Sequence, residues 1–300
     1  MNIFTLTLNP AFDIHAYTDV FTAEAENLIT ITSKDSGGKG VNISTALDNS
    51  NVKNTSIIVL GEDNSDEFIK NLSLSDPLLF YKKGRIRENL TIHTKTKETR
   101  ISYEGFTLSD DIFEEILSTV KINENDIFTF TGSVPKGISK NSIIKFLKSL
   151  KNYGARLVID SKSITLSDLY SLSPWLIKPN EEEISAYFNE EIHTLDQAAE
   201  YALTMHNKGI ENVIISLGEK GAVLATDGNH YKVVPPKISV KSTVGAGDSS
   251  IAGFIYAKTK CFSNLEKLKF AVSFGSAACK TAGTTPPKFS DITEIYNAIK

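Results

Sequence analysis

Runs of five or six mostly apolar residues alternate along this chain with stretches in which apolar positions recur every three or four residues. That alternation predicts strands separated by helices. Strand-like runs occupy Ile3 to Leu8, Thr55 to Leu60, Asp126 to Thr131, Arg156 to Asp160, Trp175 to Lys178 and Asn212 to Leu217. Helical patterns fall near Ser65 to Leu72, then Lys140 to Asn152, Asn180 to Phe188 and Leu195 to Lys208, with a short helix after Asp160 and further helices at the C-terminal end. The Val-Ile-Ile-Ser-Leu core of the last strand reads as buried on both faces, so the expected fold is α/β with a mostly parallel sheet covered on both sides. Gly221 to Thr226 and Tyr231 to Val234, joined by Asp227-Gly228-Asn229, predict a hairpin whose turn favours positive φ.

Two segments break this rhythm, about 13–33 and 84–104. Both alternate apolar with polar residues, as in Asn89-Leu90-Thr91-Ile92-His93-Thr94, the pattern of a small sheet wet on one face. With no repeat, low-complexity stretch or long linker, residues 1–300 are expected to form one domain bearing this small sheet.

Composition narrows the function classes. The 300 residues are 41% hydrophobic and 23% charged, with a net charge of −4, and the interspersed charges leave no broad basic face, so no nucleic-acid partner is expected. No apolar run approaches the ~18 residues of a membrane span, and the chain enters its first strand directly, so a cytoplasmic protein without a membrane partner is expected. Cys261 and Cys279 are expected to be reduced thiols in apolar helical surroundings, and no Cys/His spacing suits a metal.

The densest candidate chemistry is Ser242-Thr243-Val244-Gly245-Ala246-Gly247-Asp248-Ser249. Gly245 and Gly247 let the main chain approach a ligand, so that N–H groups at a helix start converge on negative charge. Asp248 reads either as a helix cap or as a base that takes a proton from an attacking hydroxyl. As an exposed carboxylate it would titrate near ~3.9 and be ionised at neutral pH. A second glycine cluster, Gly37-Gly38-Lys39-Gly40-Val41-Asn42, also runs from a loop into a helix. Lys39 supplies positive charge there and Asn42 an amide suited to sugar hydroxyls. Neither cluster has the spacing of a Walker loop or a dinucleotide fingerprint.

On these two clusters, together with Thr7-Leu8-Asn9-Pro10-Ala11-Phe12-Asp13, Thr131-Gly132-Ser133-Val134-Pro135-Lys136-Gly137, Lys178-Pro179-Asn180-Glu181-Glu182-Glu183 and Ser216-Leu217-Gly218-Glu219-Lys220-Gly221, the chain resembles the ribokinase-like (PfkB-type) carbohydrate kinases from end to end. Within them it is most similar to the branch of 1-phosphofructokinase and tagatose-6-phosphate kinase. The resemblance implies a three-layer αβα sandwich with a β lid, and transfer of phosphate from ATP, with Mg²⁺, to a ketohexose phosphate. Fructose 1-phosphate is the first choice, with tagatose 6-phosphate or fructose 6-phosphate as alternatives and a non-catalytic sugar-phosphate or nucleotide sensor as the alternative of another class.

The implied roles follow the motifs. Asp248 is the base, and the amides of Gly245, Ala246 and Gly247 form the anion cradle. Asp13, Gly37, Gly38, Lys39, Asn42, Arg87, Arg100 and Ser133 meet the sugar phosphate, with Arg85 near the entrance. Lys178, Asn180, Glu183, Ser216, Gly218, Gly221 and Gly275 meet ATP, the helix from Gly275 to Ala278 leaves room for adenine, and Glu183 holds Mg²⁺ through water. A homodimer through the lid is also implied. The chain departs from the family pattern at Gly61-Glu62-Asp63-Asn64, at Asp160-Ser161-Lys162-Ser163 and at Lys136, in loops that border the sugar site.

Overall fold

The computed structural model describes residues 1–74, 76–281, 283 and 285–299. In chain order the elements are β1 (Ile3–Thr7), β2 (Ala11–Tyr17), β3 (Thr30–Gly37), α1 (Lys39–Asp48), β4 (Thr55–Gly61), α2 (Ser65–Lys70), β5 (Leu78–Lys82), β6 (Arg87–His93), β7 (Glu98–Ser102), α3 (Ile112–Thr119), β8 (Ile127–Thr131), α4 (Lys140–Asn152) and β9 (Arg156–Asp160). There follow α5 (Leu166–Leu172), β10 (Leu176–Ile177), α6 (Glu181–Phe188), α7 (Leu195–Asn207), β11 (Asn212–Ser216), β12 (Ala222–Thr226), β13 (Asn229–Val233), α8 (Ala246–Thr259), α9 (Asn264–Cys279) and α10 (Phe289–Ala298).

The large sheet has the order β13-β12-β11-β10-β9-β8-β1-β4-β5. It is parallel from β5 to β11 and antiparallel over β12 and β13. Side chains on a strand point alternately to opposite faces, and here both faces are apolar. Phe128 and Phe130 of β8, Leu157 and Ile159 of β9, and Val213 and Ile215 of β11 join one core with helices α3, α4, α5 and α7. Ile127, Val158 and Ile214 join a second core with α1, α8, α9 and α10. The near-continuous apolar runs of the sequence thus have their cause in burial on both faces, which makes the expected three layers. Fully burying one such side chain is worth about 1.5–3 kcal/mol, so the large sheet is the rigid part of the molecule.

On the second face α8 and α9 pack backbone to backbone. A Cβ at Gly253 of α8 would lie 2.5 Å from the carbonyl oxygen of Phe270 in α9 and 2.9 Å from the Phe274 side chain. The hairpin β12–β13 closes through Asp227 (φ 51°) and Gly228 (φ 71°) with Thr226 opposite Asn229, the positive-φ turn that the sequence predicts.

The two alternating segments form a four-stranded sheet of order β3-β2-β6-β7. Its central pair, β2 and β6, is parallel, with Ala11 opposite Arg87 and Asp13 opposite Asn89. Phe12, Ile14, Ala16 and Ile92 bury one face, while outer strand β7 is mostly exposed. Fewer buried contacts give this sheet the lower local stability. Among the described residues no helix is long and apolar enough to cross a membrane.

Cys279 ends α9 half-buried, as the helical expectation has it. Cys261 does not fit that expectation: it is exposed, in the turn after α8 with φ 56°. Both are free.

Candidate active site

Strand order reverses at β1 and β8: the chain runs outward from β1 to β4 and β5, then returns to the other side of β1 as β8. Open α/β sheets bind ligands at the carboxyl ends of strands at such a switch point. Here the loops after the two strands are tied across it, Asn9 Nδ2 donating to Ser133 Oγ at 3.0 Å. Two clefts open along this edge of the sheet. A smaller one of about 290 Å³ is lined by Asp13, Lys39, Asn42, Arg87, Asp160 and Asp248, among others. A larger one of about 860 Å³ lies over β11, β12, α8 and α9. Lys178 and Gly247 line both.

Helix α8 starts at Gly245, whose φ of 75° is open to glycine at little cost, and no side chain caps its first turn. Its N–H groups therefore face the clefts with the positive end of the helix dipole. A Cβ on Gly247 would come within 3.1 Å of Lys178 Nζ, so glycine lets the buried Lys178 reach the helix start. Asp248, in the same turn, is only 5% exposed and accepts a hydrogen bond from Asn42 Nδ2 at 2.8 Å. Burial pushes its pKa up to about 7, opposed by Lys39 and raised further by Asp160, while the Asn42 bond and Lys178 pull it down. The expectation of an exposed, fully ionised carboxylate near ~3.9 is thereby corrected: α1, about two hundred residues away in sequence, closes over Asp248.

Helix α1 starts the same way, at Gly38 with φ 139° and no side-chain cap. A Cβ at Gly38 would meet Thr7 Cγ2 at 2.7 Å, and one at Gly37 would meet Asp13 Oδ2 at 2.6 Å, so these glycines let the turn settle onto β1 and β2. Lys39 Nζ lies 3.0 Å from Asp160 Oδ1. Burial alone would lower the Lys39 pKa, but Asp160 and Asp248 hold it above the ordinary value.

Across the cleft Asp13 has its pKa raised by burial, against a hydrogen bond from Asn89 Nδ2 at 2.9 Å and the charge of Arg87. Arg87, lowered by burial against the pull of Asp13, donates from Nε to the Asn9 carbonyl and from Nη1 to Asn89 Oδ1, both at 3.4 Å. Asn89 lines the cleft and was missed by sequence reasoning. Its signal was present, since it stands two residues after Arg87 and so on the same face of a strand.

Not every expected sugar-side residue reaches this cleft. Ser133 is exposed and does not line the cleft; it accepts from Asn9, whose carbonyl meets Arg87. Arg100, on β7, is 64% exposed and turned to Glu98 at 2.6 Å, and Arg85 is 62% exposed beside Glu88.

On the other side, Asn180 and Glu183 form a capping box at the start of α6, with Asn180 Oδ1 accepting from the Glu183 N–H at 2.8 Å and Glu183 Oε2 from the Asn180 N–H at 3.1 Å. Both still line the smaller cleft with Asp160. This all-oxygen set suits Mg²⁺, which keeps much of its water, and fits an ion shared with phosphate, since among the described residues no cluster of three or more His, Cys, Asp or Glu could hold a metal by itself.

Ser216, Gly218, Gly221 and Gly275 line the larger cleft, whose far wall is apolar, with Val234, Pro235, Ile238, Val240 and Val272. Gly275 makes room for α8 as well as for a ligand, because its Cβ would lie 3.1 Å from the Ala246 carbonyl oxygen. Ala277 and Ala278 are buried.

Comparison with known proteins bears on the fold and the family. Residues 7–290 match the description of a pfkB family carbohydrate kinase. The 1-phosphofructokinase of Bacillus subtilis (strain 168) is 32% identical over 279 residues, 92% of this chain and 91% of that protein. That of Haemophilus influenzae is 31% identical over 307 residues, covering 100% and 97%. The crystal structure of Escherichia coli phosphofructokinase-2 in complex with substrates and products superposes with a TM-score of 0.91 at 28% identity, over 99% of each chain. Ribokinase from Thermotoga maritima shares the fold at a TM-score of 0.78 and 19% identity, over 99% of each chain. With its match spanning nearly the whole sequence, this chain belongs to the pfkB family of carbohydrate kinases.

Proposed function

We propose that this kinase transfers the γ-phosphoryl group of ATP to fructose 1-phosphate, giving fructose 1,6-bisphosphate. The observation that carries the reading is Asp248, a buried carboxylate in the first turn of a glycine-capped helix, where a cleft holding Arg87 meets a larger cleft with an apolar wall. The names of the full-length relatives support the choice of sugar.

The larger cleft takes the nucleotide, its base against the apolar wall and its phosphates toward Lys178 and Gly247. The smaller cleft takes the sugar phosphate, with Asp13 and Asn42 on hydroxyls and Arg87 and Lys39 on the phosphate, where guanidinium suits a dianion. Asp248 orients the acceptor hydroxyl and takes its proton as the new O–P bond forms and the bond between the γ-phosphorus and the bridging oxygen breaks, releasing ADP. The N–H groups from Gly245 to Gly247, with Lys178, stabilise the charge that grows on the transferring group. Asp160, Asn180 and Glu183 would hold Mg²⁺, largely through water, and when bound the ion neutralises phosphate charge.

The small sheet acts as a lid that excludes water from the activated donor, and through it two copies would pair. Escherichia coli phosphofructokinase-2 has a tetrameric inhibited form. A cytoplasmic setting suits these substrates. The test is ADP release from MgATP with fructose 1-phosphate, tagatose 6-phosphate, fructose 6-phosphate, fructose and ribose. Rapid turnover on fructose 1-phosphate supports the reading, and turnover on another ketohexose phosphate alone replaces the sugar. Silence across the panel with ATP still bound favours a sensor.

A further inference from the structure

Asn89 sits where two charged groups of opposite sign must be kept apart and yet in fixed relation. It lies directly opposite Asp13 in the parallel register of β2 and β6, with Arg87 opposite Ala11, so the three polar side chains share one face of the small sheet. Its amide is spent on both: Nδ2 donates to Asp13 Oδ1 at 2.9 Å, and Oδ1 accepts from Arg87 Nη1 at 3.4 Å. The hydrogen-bond partners of Arg87 are neutral oxygens, those of Asn9 and Asn89, so Asp13 acts on its guanidinium through charge without a hydrogen bond to it.

An amide is the side chain that can donate to a carboxylate and accept from a guanidinium at once. A carboxylate at 89 would neutralise Arg87 and repel Asp13, and an apolar group would take the amide donor from Asp13 and leave Arg87 with the Asn9 carbonyl.

We infer that Asn89 is a positioning residue that fixes the spacing between the hydroxyl acceptor Asp13 and the phosphate-binding Arg87, and that this spacing sets the preference for a phosphorylated ketohexose over the free sugar. The inference rests on the smaller cleft being the sugar-phosphate site. A merely structural role, holding β2 to β6, needs no side chain at 89, because the backbone ladder between these strands runs over seven residue pairs.

The test compares wild type with Asn89→Leu and Asn89→Asp in steady-state kinetics, with fructose 1-phosphate and free fructose as acceptors, alongside thermal melts. Loss of hydrogen bonds to two charged groups should raise the KM for fructose 1-phosphate in Asn89→Leu by about tenfold to a hundredfold, with the KM for ATP held within about twofold. The ratio of kcat/KM for fructose 1-phosphate over fructose should shrink by a similar factor. Asn89→Asp should lose at least as much. A fructose 1-phosphate KM in Asn89→Leu within about twofold of wild type overturns the inference, as does a loss matched by the KM for ATP and by the melting temperature. A wild type inert toward every sugar phosphate overturns the assignment of the cleft itself, and this inference with it.

Discussion

Helices α4, α5, α7 and α9 begin on Ser139, Thr165, Thr194 and Ser263, and in each the capping hydroxyl accepts from an N–H of the first turn. Helices α1 and α8 begin on Gly38 and Gly245, with no side-chain cap. The first group has satisfied a backbone donor before any ligand arrives. The second has no side chain on its first-turn donors, and it starts at the clefts: α1 lines the smaller one and α8 lines both. Helix α6 stands between the two: it reaches the smaller cleft, yet its capping box already occupies one oxygen each of Asn180 and Glu183. A cap stabilises a helix by about 1 kcal/mol. Helices α2, α3 and α10 also lack a side-chain cap, so what distinguishes α1 and α8 is that their uncapped starts lie at the clefts, where an anion can meet them.

The sharpest way to break this contrast is Asp248→Asn. Turnover should fall by ~10²- to 10⁴-fold, as for loss of a general base, while calorimetry shows ATP binding retained. Near-normal turnover would reduce Asp248 to a structural residue of the first turn.

Next comes Gly245→Ala, which imposes a side chain on a residue at φ 75° and disturbs the cradle. A fall in kcat of about 10²- to 10³-fold, the scale of losing one oxyanion donor, is expected. A change under about twofold would mean that the open helix start takes no part in the chemistry.

Arg87→Ala should raise the KM for the sugar phosphate by about tenfold to a hundredfold and leave that for ATP nearly unchanged.

A pH series follows from the burial of Asp248. Because only the ionised form takes a proton, kcat/KM should rise with pH until about 7, the value to which burial pushes this group, and then level off. The stability effect has the opposite sign. A carboxylate whose folded pKa is raised favours the folded state when protonated, so its contribution is present at low pH and is lost as pH rises through about 7. Asp248→Asn should therefore melt higher than wild type at pH above that value and lose its advantage in acid.

The smallest effect belongs to the capped group. Ser263→Ala should cost about 1 kcal/mol of stability in denaturant titration, with kinetics unchanged.

How legible these features were in the sequence follows from how local their causes are. The buried parallel strands could be read because burial on both faces makes Ile127–Thr131 or Asn212–Ser216 nearly continuous apolar runs. Strand β5 escaped because it is a half-exposed edge strand of five residues, and the sequence reading also passed over α3. The glycine turns announced themselves through residue type, but the surroundings of Asp248 did not. Its neighbours come from three separate parts of the chain: Lys39 and Asn42 from α1, Asp160 from the end of β9 and Lys178 from just after β10. Asn89 looked like any polar position on an alternating strand, and only the pairing of β2 with β6, some 76 residues apart, shows what it holds. For the arginines of the small sheet residue type was no guide to orientation: Arg100 was eligible by chemistry, and here it turns to its neighbour Glu98.

The close contact at Gly253 bears on how this enzyme could diverge. Helix α8 carries Asp248 at its start and α9 carries Val272 and Gly275 along the larger cleft, and the two are seated on each other with no space for a methyl group. A substitution that reshapes the larger cleft by moving α9 must carry α8, and with it Asp248, the proposed base. If the larger cleft takes the nucleotide as proposed, changes of phosphoryl donor are more accessible to drift or design through the Val234–Val240 segment, which is not part of the α8–α9 contact that seats Asp248.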